Sequence, residues 1–123
     1  MKILVIDDNP QDQKIVKRYL DRFGYGDVIF ANTGETGIAM VKSEKPDIVI
    51  TDTNLPGMDG FGVLEQVKRL APRTEVVVVT GQGDIESAVR AMREGPFDFF
   101  TKQVKNAALR ASLQRVTRYY LLR

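Results

Sequence analysis

Ile48-Val49-Ile50-Thr51-Asp52-Thr53-Asn54-Leu55-Pro56-Gly57-Met58-Asp59-Gly60 places a strand, a carboxylate and a turn-rich loop in one short stretch. Its first four side chains are apolar or β-branched without alternation, the pattern of a strand covered on both faces in a parallel sheet. Asp52 stands at the carboxyl end of that strand. Pro56-Gly57 and Asp59-Gly60 supply turn chemistry. Phe61, Leu64, Val67 and Leu70 then recur at helical spacing.

The segments on either side repeat the unit. Upstream, Val28-Ile29-Phe30-Ala31 reads as a strand, and Asn32 with Glu35 resembles a capping box. The helix it opens is anchored by Ile38 and Val41 and stopped by Pro46. Ile3-Leu4-Val5-Ile6 is another buried strand, and Asn9-Pro10 gives an N-cap and a first-turn proline. Ile15, Tyr19 and Phe23, with Val16 and Leu20 beside them, form a stripe that ends at Gly24. Downstream, Val76-Val77-Val78-Val79 is a fourth strand ending in Thr80-Gly81. Asp84 can cap a helix through Ala88, Ala91 and Met92 that Gly95-Pro96 terminates. Residues 97–101 form a shorter fifth strand ending at Lys102, and a last helix runs from about Lys105 onward. Five strands alternating with five helices predict a doubly wound α/β fold, its parallel sheet covered on both faces. No linker, repeat or low-complexity segment interrupts the alternation, so residues 1–123 are read as one domain.

Composition removes several kinds of chemistry. There is no cysteine, hence no disulfide, thiolate metal site or cysteine nucleophile. There is no histidine, which excludes Ser-His catalysis, imidazole ligands and phosphohistidine on this chain. A bound metal must therefore take oxygen ligands, which points to Mg²⁺, Ca²⁺ or Mn²⁺. With 43% hydrophobic and 28% charged residues the chain has the balance of a soluble globular domain. Its apolar runs are far too short to span a membrane. Residues 1–6 lead into Asp7-Asp8 without the apolar core of a signal peptide, so a cytoplasmic protein is expected. The charge is uneven: Lys105, Arg110, Arg115, Arg118 and Arg123 have no acid among them, whereas the rest holds 13 bases against 16 acids. Cations suit a helix C-terminus, and without base-reading elements this basic helix is read as a solvated face, not a nucleic-acid site.

Ligands of an open parallel sheet bind beyond the carboxyl ends of its strands, where the strand order switches. Those ends carry Asp7-Asp8, Asp52, Thr80-Gly81 and Lys102, while Ala31-Asn32 brings no charge. With the order 2-1-3-4-5, Asp7, Asp8 and Asp52 converge at the switch point. Three such carboxylates repel one another unless a cation lies between them, and Mg²⁺ suits the set. A carboxylate can act as a nucleophile and form an aspartyl phosphate. Mg²⁺, the Lys102 ammonium and the Thr80 hydroxyl would together neutralise a phosphoryl group in transfer, and Gly81 leaves room beside the backbone. Singly, each residue has a plainer reading: Asp8 as a capping aid, Lys102 as a surface lysine, Thr80 as a strand residue, Phe99 as core.

Asp7-Asp8, the run from Ile50 to Gly60, Thr80-Gly81 and Phe99-Phe100-Thr101-Lys102 together resemble the receiver domains of two-component response regulators. The resemblance covers the whole chain, and its Asp-x-x-x-Pro-x-x-Asp-Gly stretch is specific. It implies a flavodoxin-like (βα)5 fold and a phosphorylation switch in place of an enzyme acting on external substrates. By that resemblance Asp52 would be the phosphoacceptor. Asp8 and the main-chain carbonyl of Asn54 would ligate Mg²⁺, with Asp7 beside them directly or through water. Thr80 and Lys102 would hold the phosphoryl oxygens, and Phe99 matches an aromatic that turns inward on activation. The implied partners are a histidine kinase or histidine phosphotransfer protein, and an output domain or effector, most commonly a transcription regulator. One departure stands out: Gln103 follows the lysine where such domains usually carry proline, often after a cis bond. A cis bond before a non-proline residue costs about 3–4 kcal/mol, so a trans bond is expected there.

Competing readings have specific weaknesses. A phosphatase with an aspartyl intermediate needs a proton donor two residues beyond the nucleophile, and Asn54 cannot serve. A flavin protein of this topology needs a phosphate-cradling loop where Asp7-Asp8-Asn9-Pro10 offers carboxylates. An interaction module that is never phosphorylated has only Gln103 in its favour. Leu109, Leu113, Val116 and Tyr120 form a stripe on the last helix, about 105–123, which lacks a stop signal. That helix is expected to continue into an output domain or to pack in a phosphorylation-dependent dimer.

Overall fold

The computed structural model describes residues 1–80, Arg93, Gly95, 98–101 and 106–121, and for Thr80, 98–101, 106–109 and 119–121 the backbone alone. Among the described residues the elements are β1 (Ile3–Ile6), α1 (Pro10–Arg22), β2 (Val28–Ala31), α2 (Gly34–Glu44), β3 (Ile48–Asp52), α3 (Gly60–Leu70), β4 (Glu75–Thr80), β5 (Asp98–Thr101) and α4 (Asn106–Leu121). The strands pair in parallel in the order β2-β1-β3-β4-β5. The chain therefore returns past β1 after β2, and the β1–β3 boundary is the switch point. The expected helix from Asp84 through Ala88, Ala91 and Met92, and Pro96 beyond it, lie outside the described residues.

Residues alternate across the sheet into two cores, as the strand period requires. On one face Leu4, Ile6, Val49 and Val78 pack with Ile38 and Val41 of α2 and Val63, Leu64 and Val67 of α3. On the other, Ile3, Val5, Ile48, Ile50 and Val77 pack with Leu20 of α1 and Leu113 and Val116 of α4. Truncating Leu64 to alanine is expected to cost about 2–5 kcal/mol, since a buried leucine loses both its transfer energy and its packing. Urea unfolding would show this as a lowered midpoint at constant slope.

Ser112, beside Leu113 on α4, is 0% exposed, and among the described residues its Oγ has no hydrogen-bond partner. A buried hydroxyl without a partner loses its hydration for nothing in return. Ser112→Ala is accordingly expected to raise stability by about 1 kcal/mol in the same assay.

The sequence reading and the structure differ at several helix positions. Ile15 is 45% exposed and Leu70 44% exposed, so neither joins a core. Ile15 lies on the solvent flank of α1, where Val16 and Leu20 carry the packing instead. Leu70 is the last residue of α3, after the buried Val67. At α2 the cap is Thr33, whose Oγ1 accepts the Thr36 N–H at 3.0 Å, in place of Asn32. Glu35 is thereby released from the expected capping box. The described part of β5 is Asp98–Thr101, and residue 97, the expected start of the strand, lies outside the described residues. Among the described residues, no helix is long and apolar enough to cross a membrane.

Candidate functional site

Register creates the site. Ile6, the last residue of β1, lies opposite Thr51, so Asp7 follows it next to Asp52, the last residue of β3. Asp8 follows directly. One carboxylate oxygen from each of Asp7, Asp8 and Asp52 lies within 4.8 Å of the other two. Asp7 is 4% exposed and Asp52 6%, while Asp8 faces solvent.

Local hydrogen bonds orient the acids. The Asn9 N–H donates to Asp7 Oδ1 at 2.9 Å, and the Asn54 N–H donates to Asp52 Oδ1 at 3.0 Å. Each is a turn in which an aspartate accepts from the backbone two residues on, which limits its rotation. Asn9 also caps α1 through the Gln11 N–H at 2.8 Å, with Pro10 in the first turn, as its sequence predicts. Thus the residue that orients Asp7 also starts the helix behind it.

The loop after Asp52 is pinned at both ends. The Thr53 N–H donates to the Val79 carbonyl at 3.0 Å, and the Gly60 N–H to the Thr53 carbonyl at 3.2 Å. Gly60 opens α3 against the backbone of β3: a Cβ there would run into the Asp52 carbonyl oxygen and come within 2.8 Å of its carbon. Asp59 caps the helix through the Gly62 N–H at 2.8 Å. In mid-loop, Glu35 of α2 accepts the Met58 N–H at 3.3 Å, beside Gly57 at φ +75°.

A second clamp comes from α1. Gln13 Nε2 donates to the Asp7 carbonyl and, at 2.7 Å, to Asn32 Oδ1. Sequence reading missed Gln13, the contact of Glu35 with the loop and the Gly60 contact. A search for charge at strand ends passes over a neutral amide one turn into a helix. The capping-box spacing drew attention to Glu35 but assigned it the wrong partner.

Three converging carboxylates, two of them buried, form an oxygen-only donor set that fits a hard divalent cation. Without one, like charges this close repel. Of the remaining candidates, Asn54 directly follows the β3 terminus through Thr53, and its side chain is exposed. Thr80 ends β4 one residue beyond Val79, the partner of Asp52, and Thr80 pairs with Thr101. Phe99 lies in β5 opposite Val78. The side chains of Thr80 and Phe99, and all of Gly81, Lys102 and Gln103, lie outside the described residues.

Known proteins agree with this geometry. The response regulator receiver domain family matches residues 3–114. The transcriptional regulatory protein GlrR of Escherichia coli (strain K12) is 35% identical over 107 residues, 87% of this chain and 24% of that protein. The DNA-binding transcriptional regulator NtrC of Salmonella typhimurium is 30% identical over 118 residues, 96% of this chain and 25% of that protein. The chain thus spans about a quarter of the length of these two relatives. Among solved structures, a response regulator receiver domain protein from Clostridium thermocellum superimposes with a TM-score of 0.89 at 32% identity, covering 99% of this chain and 98% of that one. Sequence motif, strand order, acid cluster and relatives converge on one conclusion: the chain belongs to the response regulator receiver domain family.

Proposed function

We propose that this domain is switched by phosphorylation of Asp52, with Asp7, Asp8, Asp52 and the main-chain carbonyl of Asn54 as ligands of Mg²⁺. The observation that carries the reading is the convergence of the three carboxylates at the β1–β3 switch point. When bound, Mg²⁺ would offset the charge of the acids and of the incoming phosphoryl oxygens. A carboxylate oxygen of Asp52 forms the new bond to phosphorus as the bond to the donor's imidazole nitrogen breaks. The Asn54 N–H holds the Asp52 carboxylate in a fixed rotamer, which favours in-line approach. Thr80 and Lys102 are assigned to the phosphoryl oxygens, supported by the register that ends β4 next to Asp52 and ends β5 level with β4, one strand further out.

The phosphohistidine that this chain lacks would come from a histidine kinase or a histidine phosphotransfer protein. The domain then acts as a regulatory phosphoacceptor that assists its own phosphorylation and dephosphorylation. Thr80 and Phe99 would pass the change to the surface around β5 and α4, biasing a two-state element. GlrR and NtrC are transcriptional regulators by name, and this chain matches about a quarter of each. A DNA-binding output domain is the corresponding partner, nucleic acid being contacted there and not by this domain. The setting is cytoplasmic, and a phosphorylation-dependent homodimer is a second output state open to the domain.

Intact-mass spectrometry after incubation with acetyl phosphate and Mg²⁺ tests the reading. One phosphoryl adduct is expected, and EDTA should prevent it. Absence of an adduct in protein shown to bind Mg²⁺ would instead favour an interaction module that is never phosphorylated.

A further inference from the structure

We propose that Gln13 is a positioning residue for the cation site, acting as an uncharged latch on the peptide that joins Asp7 to Asp8. The inference rests on the cation reading above. Gln13 lies in the first turn of α1, so its backbone is fixed by the Asn9 cap, and its own N–H donates to the Asn9 carbonyl at 3.1 Å. From there its side chain reaches back over the β1–α1 loop. Nε2 has two hydrogens, and two acceptors meet it: the Asp7 carbonyl and Asn32 Oδ1 at 2.7 Å. A carbonyl only accepts, so the amide's orientation is set by chemistry.

The Asp7 carbonyl belongs to the peptide plane between the two acids. Rotation of that plane would swing the Asp8 side chain relative to Asp7. The Asn9 N–H bond to Asp7 Oδ1 restrains the plane from the carboxylate side, and Gln13 restrains it from the carbonyl side. Asn32 extends the latch to the end of β2, a strand that brings no acid to the site. Outer contacts that orient metal ligands typically account for 10- to 100-fold in affinity.

The test is Mg²⁺ titration by calorimetry of the wild type, Gln13→Met and Thr74→Val, together with hydrogen exchange at the Asn9 amide without metal. Methionine keeps the length of glutamine and its lack of charge but has no donor. Thr74→Val removes a hydrogen bond to the Pro46 carbonyl at the opposite end of the sheet and controls for lost stability alone. Gln13→Met should weaken Mg²⁺ binding by about tenfold and speed Asn9 exchange, with Thr74→Val changing neither. Binding by Gln13→Met within twofold of the wild type would overturn the latch while leaving the cation site intact. A wild type that fails to bind Mg²⁺ would overturn the cation reading itself, and the latch with it.

Discussion

Asp52→Asn should take up no phosphoryl group from acetyl phosphate while becoming more stable than the wild type in metal-free buffer. A neutral amide is a far poorer nucleophile toward phosphorus than a carboxylate, so the adduct is expected to vanish entirely in the intact-mass assay. The stability change has a separate cause. Asp52 shares a 4.8 Å cluster with Asp7 and Asp8, and Asp7 is also buried. Two unit charges at such a separation repel by about 3–4 kcal/mol at an effective dielectric of 20. Solvent at Asp8 and relaxation reduce that, leaving an expected gain of about 1–2 kcal/mol by urea unfolding in EDTA. Asparagine keeps an Oδ1 acceptor for the Asn54 N–H, so the loop should hold its shape. Adding Mg²⁺ should stabilise the wild type far more than the variant. Labelling of the Asp52→Asn protein at the wild-type level would place the phosphoacceptor elsewhere.

Gly60→Ala should be the most damaging single methyl group among the described glycines of this site. Its Cβ would strike the Asp52 carbonyl oxygen and come within 2.8 Å of the Asp52 carbon and 2.9 Å of the Thr53 Cα. All three are backbone atoms held by the β3–β4 ladder, so the start of α3 must move. A loss of about 3 kcal/mol is expected, at the upper end of overpacking costs, together with slower phosphorylation because Asp52 moves too. Gly62→Ala provides the contrast two residues on. There the nearest obstruction is Met58 Cγ at 2.8 Å, in a flexible side chain. Its cost is expected to be offset by the better helix propensity of alanine, leaving stability within about 1 kcal/mol of the wild type. Equal losses in both variants would show that the backbone approach at Gly60 is softer than its distances imply.

Much of this architecture is legible because one side-chain pattern serves one purpose in each strand. Ile3-Leu4-Val5-Ile6 and Ile48-Val49-Ile50 are apolar throughout because helices cover both faces, and no amphipathic alternative competes. Asp7, Asp8 and Asp52 are readable as a site for a related reason. Charge placed directly after a buried strand has little structural use, so it marks the sheet's functional edge. Helix flanks are harder to read. Ile15 fits the α1 stripe by spacing, yet in the folded domain Val16 and Leu20, not Ile15, pack on the sheet. Asn32 and Thr33 are both good caps; Thr33 takes the role, and Asn32 Oδ1 accepts from Gln13 instead. Gln13 itself gives no local signal, because both of its acceptors are distant in sequence or belong to the main chain.

The burial of α4 bears on how such regulators can be cut and rejoined. Leu113 and Val116 are fully enclosed with Ile3, Val5, Leu20 and Val77, and the Thr117 hydroxyl meets the Tyr25 hydroxyl at 3.3 Å. The stripe expected to serve a neighbour is therefore, at these two positions, spent on the domain's own sheet. A chimera joined between β5 and Val116 would take one or both of these helix residues from a different parent than the sheet they pack on. A junction that keeps α4 with its own sheet through Thr117 leaves this packing, and the hydroxyl contact to Tyr25, within one parent.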